Sequence, residues 1–341
     1  MTKIIYLLWA GASAKSLPLV SEFRTFIGYF LIFLQKYHAS EESIKYIQEI
    51  FEGIKYYPSP DTTARKLELW WEREKLNRLN NLIWLMFFWK ENIDLSQMID
   101  NFLDIKNTWN ADKYEYLFEK LSISIDPRYI AFFSAILESP KNKILDKNLW
   151  IISWNYDSQI EKTLKMLWAP VPDKNQYIKL NWSAKVRLGK KALENAKDII
   201  NFTNQINELS SSIEYAWDDK EEILKKIWKM TQDTTKIIII WYSFPVYNRY
   251  MDSSIFNLLW SFNHNKTLHI ELVGSNESRL LEYENSVRAM LEPWDWFDAN
   301  KPRELWHLQR WFMIKKSLSP GQFPIPNDLP IFGQKSISVP F

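Results

Sequence analysis

The chain has 341 residues, 46% hydrophobic and 25% charged, with a formal net charge of +2. That fits a globular protein with a sizeable core in one large domain or two, and the charge is too small to indicate nucleic acid or an anionic membrane surface. Cysteine is absent, which excludes a disulfide framework, a thiolate zinc site and a cysteine nucleophile, and is compatible with a cytoplasmic protein.

In chain order, Lys3 to Leu8 is an apolar run with β-branched members, followed by Trp9, the small residues Ala10, Gly11, Ala12 and Ser13, and then Leu17-Pro18. This predicts a buried strand, a tight phosphate-sized turn and the entry to a helix, as in nucleotide-binding α/β domains. The same residues superficially resemble a secretory signal, but the apolar run is at the short limit and strand plus turn accounts for it better. Glu22 to Tyr37 reads as a largely buried helix. Ser40 is a fair N-cap for a helix from Glu41 to Glu52, ended by Gly53. One long helix is predicted from Ala64 to Lys90, with shorter ones near Leu95 to Ile105, Ala111 to Leu121 and Arg128 to Leu137. The block from about 22 to 140 shows no strand alternation and reads as a helical insertion.

Strand signals return at Leu149 to Trp154, closed by Asn155-Tyr156-Asp157, with Asp157 placed to cap a helix from Ser158 to Leu167. Tyr177 to Leu180 is a short strand ending at Asn181-Trp182-Ser183. A second, polar helical segment covers about 190 to 230. Lys236 to Ile240 and Leu268 to Val273 read as buried strands of a parallel sheet, the second ending at Gly274-Ser275-Asn276 before a helix from Glu277 to Leu291. Pro320, Pro324, Pro326 and Pro330 mark an extended tail over 319–341. The pattern is an α/β fold, a Rossmann-like parallel sheet with large helical insertions over 1–318. No apolar run approaches the ~20 residues that span a bilayer.

Glycine and tryptophan are out of proportion. Average usage of about 7% would give roughly two dozen glycines; there are 7, against 18 tryptophans. Trp9, Trp182 and Trp241 each follow a predicted strand where a turn favours glycine. Translating a gene that reads UGA as glycine with a table that reads it as tryptophan produces this pattern, so the sequence points to glycine at these positions in the native protein.

Polar and small residues thus gather at strand carboxyl ends, where parallel sheets bind ligands. Trp9-Ala10-Gly11-Ala12-Ser13 with Leu17-Pro18 resembles the Gly-Ala-Gly-x-Ser and Gly-(Ile/Leu)-Pro signature of sirtuin-like NAD-binding proteins. Trp154-Asn155-Tyr156-Asp157 resembles the Thr-x-Asn-Tyr-Asp motif of their bacterial branch, and Lys179-Leu180-Asn181-Trp182-Ser183 its Lys-Leu-His-Gly-Ser. Trp241-Tyr242-Ser243-Phe244-Pro245 with Asn248-Arg249 resembles the Gly-x-Ser-hydrophobic motif.

The resemblance implies NAD as ligand and hydrolysis of its nicotinamide–ribose bond, with antiphage defence through NAD depletion as the role. It implies that Asn155 orients the ribose or the attacking water, and that Asp157 contacts the nicotinamide amide. Ala10, Gly11, Ala12, Ser13 and Pro18 would hold the pyrophosphate side. Asn181, Ser183 and Ser243 would line the pocket, and Asn276 would meet the adenosine half. Asn181 replaces the family's histidine base, and an amide takes no proton near neutral pH. A non-catalytic module that binds NAD or ADP-ribose is therefore the alternative, with a protein partner or second copy engaged through the helical insertion. Neither reading involves a metal, and the missing cysteines exclude the zinc module of deacetylating sirtuins. Plainer roles compete at each position: Asn155 and Asp157 as Asx-turn and cap, Asn181, Ser183 and Ser243 as turn formers, Arg249 in an ion pair. An indole at Trp9 would fill the volume a pyrophosphate needs.

Overall fold

The computed structural model describes residues 3–19, 22–54, 60–92, 120, 122–137, 144–155, 157–173, 176–180, 196–204, 221–244, 248–262, 267–291, 312–319 and 321–325. Its centre is a six-stranded sheet of β1 (Lys3–Leu8), β2 (Leu149–Ser153), β3 (Tyr177–Lys179), β4 (Thr234–Ile240), β5 (Leu268–Gly274) and β6 (Phe312–Leu318), in the order β3-β2-β1-β4-β5-β6. Every pairing is parallel. This is the doubly wound order in which the chain runs outward from β1 in one direction, then returns beside it and runs outward in the other.

The helices are α1 (Phe23–Lys36), α2 (Glu41–Ile54), α3 (Pro60–Leu69), α4 (Arg73–Asn92), α5 (Pro127–Ile136), α6 (Gln159–Met166), α7 (Ala196–Asn204), α8 (Glu221–Thr231), α9 (Arg249–Phe262) and α10 (Glu277–Leu291). Strand alternation sends Ile4, Tyr6 and Leu8 to one face of the sheet, with Tyr129, Phe132 and Phe133 of α5 and Ile160 and Leu164 of α6. Ile5 and Leu7 go to the other face, with apolar residues of α8, α9 and α10. Right-handed crossovers require this division, because connections on opposite sides of β1 cross opposite faces. A separate core joins α1, α2, α4 and α7, including Phe30, Phe33, Ile47, Leu82, Trp89 and Ile199. The helical insertion thus has a core of its own.

The expected helix from Ala64 to Lys90 is two helices. Trp71 breaks it with φ 59°; its N–H bonds the carbonyl of Glu68 (3.0 Å) and the N–H of Glu72 that of Leu67 (2.9 Å). That pair of bonds is a Schellman closure, which requires a left-handed residue just past the helix and normally places glycine there. The same closure ends α6 at Trp168, with φ 58° and bonds from Trp168 N–H to Lys165 O and Ala169 N–H to Leu164 O. Conversely Gly53, expected to end α2, lies inside it. β6 and α9 are not among the elements expected from the sequence, although Met251, Ile255, Phe256 and Leu259 of α9 recur at helical spacing. β6 is an edge strand that is exposed at Met313, Lys315, Lys316 and Leu318, so it lacks the continuous apolar run of the central strands. The expected helix near 95–105 and, apart from Lys120, that near 111–121 lie outside the described residues. No helix among the described residues is long and apolar enough to cross a membrane.

Candidate functional site

In this sheet order β1 and β4 are neighbours whose onward connections leave toward opposite faces, the switch point at which open parallel sheets form a ligand crevice beyond the strand carboxyl ends. Leu8 pairs with Ile240 at that edge and with Ser153 of β2. The segments that leave these strands therefore meet: Trp9 to Ser13 from β1, Trp154, Asn155 and Asp157 from β2, and Trp241 to Phe244 from β4.

The turn after β1 differs from its expected form in two ways. It is a single turn of 3-10 helix, Ala10–Ser13, and α1 begins only at Phe23, so the turn does not run straight into a long helix. Trp9 has φ −128° and ψ 176°, extended backbone that any residue adopts, so its conformation does not require glycine. Its indole is 8% exposed, with ring centroids 4.9 Å from Tyr242 and 5.7 Å from Trp154. What Trp9 takes is volume. Trp241 is the reverse case: φ is 52°, where a Cβ is strained and glycine is not. A Cβ on Gly11 would lie 2.5 Å from Trp241 Cβ, so with tryptophan at 241 the close approach of these two segments requires glycine at position 11.

A polar cluster forms on the β2 side. The side-chain amide of Asn155 donates to Ser13 Oγ (3.1 Å) and to the Tyr129 hydroxyl (3.3 Å), and these two oxygens are 3.2 Å apart. The backbone N–H of Asn155 donates to Ser153 Oγ (3.1 Å). Asn155 is 4% exposed, yet its Oδ1 has no hydrogen-bond partner among the described residues. A buried acceptor left unpaired costs about 1–3 kcal/mol, and such groups mark places where a ligand donor can bind. Asp157 accepts from the N–H of Gln159 at 3.0 Å, so it does support the start of α6, and Lys179 Nζ donates to its backbone carbonyl. Burial pushes the Asp157 carboxyl up to about 6, opposed chiefly by the Lys179 charge.

The first turn of α5 contributes residues that the sequence did not single out. Asp126 caps this helix by accepting from Arg128 N–H (3.0 Å), and it also accepts from Lys15 N–H (2.9 Å). Arg128 returns a paired contact, Nε to Asp126 Oδ1 (2.9 Å) and Nη2 to Oδ2 (2.6 Å). Its Nη2 also donates to the carbonyls of Ala12 (3.1 Å) and Gly11 (3.3 Å). The buried pair thus holds the turn after β1 by two carbonyls and one N–H. The Trp241 indole lies over the guanidinium with its ring centroid at 4.5 Å. Asp126-Pro127 is legible as a helix start; that Arg128 is buried across that turn is not.

The remaining expected residues divide. Ala12, Ser13 and Pro18 are buried in or beside the turn, and Ala10 opens it. Ser243 is exposed, as is Arg249 at the start of α9. Asn276 accepts from Arg279 N–H and Ser278 Oγ, both at 2.9 Å, and so caps α10. On the other face Tyr242 donates to Asp252 and accepts from Asn248 Nδ2 (3.1 Å). Asn181, Trp182 and Ser183 lie outside the described residues. No protein-family model, curated protein or solved structure matches this chain.

Proposed function

We propose that this chain is a sirtuin-like NAD-binding protein that hydrolyses the nicotinamide–ribose bond, giving nicotinamide, ADP-ribose and a proton. The observation that carries the reading is the meeting of Ser13 and Asn155, from two separate motifs, at the switch point of a 3-2-1-4-5-6 sheet, with Asn155 Oδ1 unpaired. In this reading Oδ1 accepts from a ribose hydroxyl or the attacking water, and Ser13 and Tyr129 hold the amide in place. Asp157 faces the nicotinamide, and orientation with electrostatics stabilises the oxocarbenium-like transition state. Asn181 supplies no general base, a deficit of typically 10²–10⁴-fold, so turnover is slow. Depletion of NAD in antiphage defence is the proposed role, in the cytoplasm.

The polar side of the crevice suits NAD, but its aromatic side does not. In the chain as written the indoles of Trp9 and Trp241 stand where the pyrophosphate would approach the turn. We therefore propose glycine at 9, 182 and 241 in the native protein. Support comes from position 241 and from two tryptophans that follow no strand, Trp71 and Trp168, all of them in left-handed backbone. UGG codons at these positions in the gene would remove this part of the reading.

The activity is tested by nicotinamide release from protein carrying glycine at 9, 182 and 241, against the same protein with Asn155→Ala. Release that depends on Asn155 supports hydrolysis. NAD binding without release supports the second reading, a regulatory module for NAD or ADP-ribose, which the amide at Asn181 favours. Absence of binding rejects both.

A further inference from the structure

We propose that Arg128 is a phosphoanion-binding residue of this crevice and that the Trp241 indole occupies the place of the anion. The inference rests on reading the crevice as a nucleotide site, though not on turnover there.

Arginine carries five N–H donors in a planar fork and no acceptor. In Arg128 the Nε and Nη2 edges are engaged by Asp126 and by the carbonyls of Gly11 and Ala12. Nη1, with two further donors, is buried and has no hydrogen-bond partner among the described residues. The residue is 2% exposed. A guanidinium buried to that degree with one amino group unbonded is costly unless something acceptor-rich completes it.

What lies over it instead is a ring. Trp241 stacks at 4.5 Å, and Phe323 from the segment after β6 stands at 5.6 Å. An aromatic face attracts the cation but accepts no N–H as an oxygen would. The ring is held there by backbone in the left-handed region, a conformation that glycine adopts without strain. Removing the indole leaves a space bounded by Gly11 on one side and by the guanidinium on the other. That space is at the junction of β1 and β4, where the sheet order places a ligand.

Two buried groups left unpaired among the described residues of this crevice also agree on a ligand. Arg128 Nη1 is a charged donor, and Asn155 Oδ1 is an acceptor. They are linked through one turn, Arg128 to the carbonyls of Gly11 and Ala12 and Asn155 to the hydroxyl of Ser13. A phosphate ester of a hydroxylated sugar satisfies both; a neutral nucleoside satisfies only the second. Arg128 therefore selects for the phosphate portion of the ligand. The Asp126 carboxylate keeps it oriented and limits how far its charge reaches.

The test is calorimetric titration of inorganic pyrophosphate, ADP and adenosine into the full chain and into Trp241→Gly. We expect Trp241→Gly to bind pyrophosphate and ADP at least tenfold more tightly than the parent, with no gain for adenosine. Adding Arg128→Met with Asp126→Asn removes both charges together, keeps the helix cap and abolishes the gain. Equal pyrophosphate affinity in parent and Trp241→Gly overturns the proposal, as does a gain that survives loss of Arg128. If the triple variant fails to fold, hydrogen exchange on Trp241→Gly decides. Pyrophosphate must then protect both the 9–14 segment and the first turn of α5, and protection confined to other segments overturns the proposal. Running NAD in parallel on protein carrying glycine at 9, 182 and 241, with and without Arg128→Met and Asp126→Asn, separates the two readings. Pyrophosphate binding through Arg128 without NAD binding or cleavage refutes the NAD reading alone, whereas NAD binding indifferent to Arg128 refutes this inference alone.

Discussion

Replacing Trp168 by glycine should stabilise the protein, although it deletes the largest side chain. Trp168 sits just past α6 at φ 58°, inside two Schellman hydrogen bonds, and is 87% exposed. An L-residue in left-handed helical geometry costs roughly 1–2 kcal/mol relative to the right-handed form. Glycine escapes that cost but loses more backbone entropy on folding, an offset of roughly 0.5–1 kcal/mol. With little packing to lose, the balance favours Trp168→Gly by about 1 kcal/mol, read from urea unfolding by linear extrapolation. Trp168→Ala is the informative control: it removes the indole and keeps the Cβ, so it should stay within about 0.5 kcal/mol of the parent. Trp71→Gly, 78% exposed at φ 59°, should behave like Trp168→Gly. Trp228→Gly, inside α8, should lose roughly 0.5 kcal/mol, because glycine is poor in helix interiors. Equal stability of Trp168→Gly and Trp168→Ala would refute the reasoning, since only the Cβ distinguishes them.

Other consequences follow from the crevice and its supports. Asp157 titrates near 6 in the folded chain against an ordinary 3.8. Between those values the folded state binds the extra proton, so this group's contribution falls as pH rises from about 4 to 6, by roughly 3 kcal/mol at 1.36 kcal/mol per unit. Asp157→Asn keeps an acceptor for Gln159 and should be more stable than the parent at pH 7.5 but not at pH 4, measured by unfolding at both. Asp126→Ala leaves the buried Arg128 charge uncompensated and should cost about 3–5 kcal/mol; a loss below 1 kcal/mol in denaturant titration would contradict the clamp. Tyr6→Phe removes the hydroxyl that donates to Pro324 O at 2.7 Å. It should cost about 1 kcal/mol and speed limited proteolysis at 321–325, and an unchanged cleavage rate would argue against that tether.

The central strands were legible because a strand covered on both faces must be apolar without interruption, as Ile237-Ile238-Ile239-Ile240 is. The motifs at their ends were legible as well: Ser13 and Asn155 belong to different segments, and both sit where parallel-strand ends converge. β6 was missed because an edge strand keeps one side in water and so mixes Lys315, Lys316 and Ser317 with apolar residues. The break at Trp71 was missed because the signal for it, glycine, is replaced by a residue with no turn preference. Asn276 reads from the sequence as a ligand contact, and its Oδ1 caps α10; one Asn side chain serves either purpose, so its sequence position does not reveal the cap.

The amino-acid sequence by itself determined the alternation of strand and helix, the parallel class of the sheet, and the excess of tryptophan at turn positions, all properties of local pattern and composition. Only the tertiary structure decided which tryptophans occupy glycine geometry. Trp9 is extended, while Trp71, Trp168 and Trp241 are left-handed, because φ is set by the hydrogen bonds and packing around a residue. The tertiary structure also brought Arg128 and Tyr129 to the turn after β1, across more than a hundred residues of chain. A buried cation is recognised by what surrounds it, and strand order and crossover hand, which no single segment encodes, put those surroundings in place.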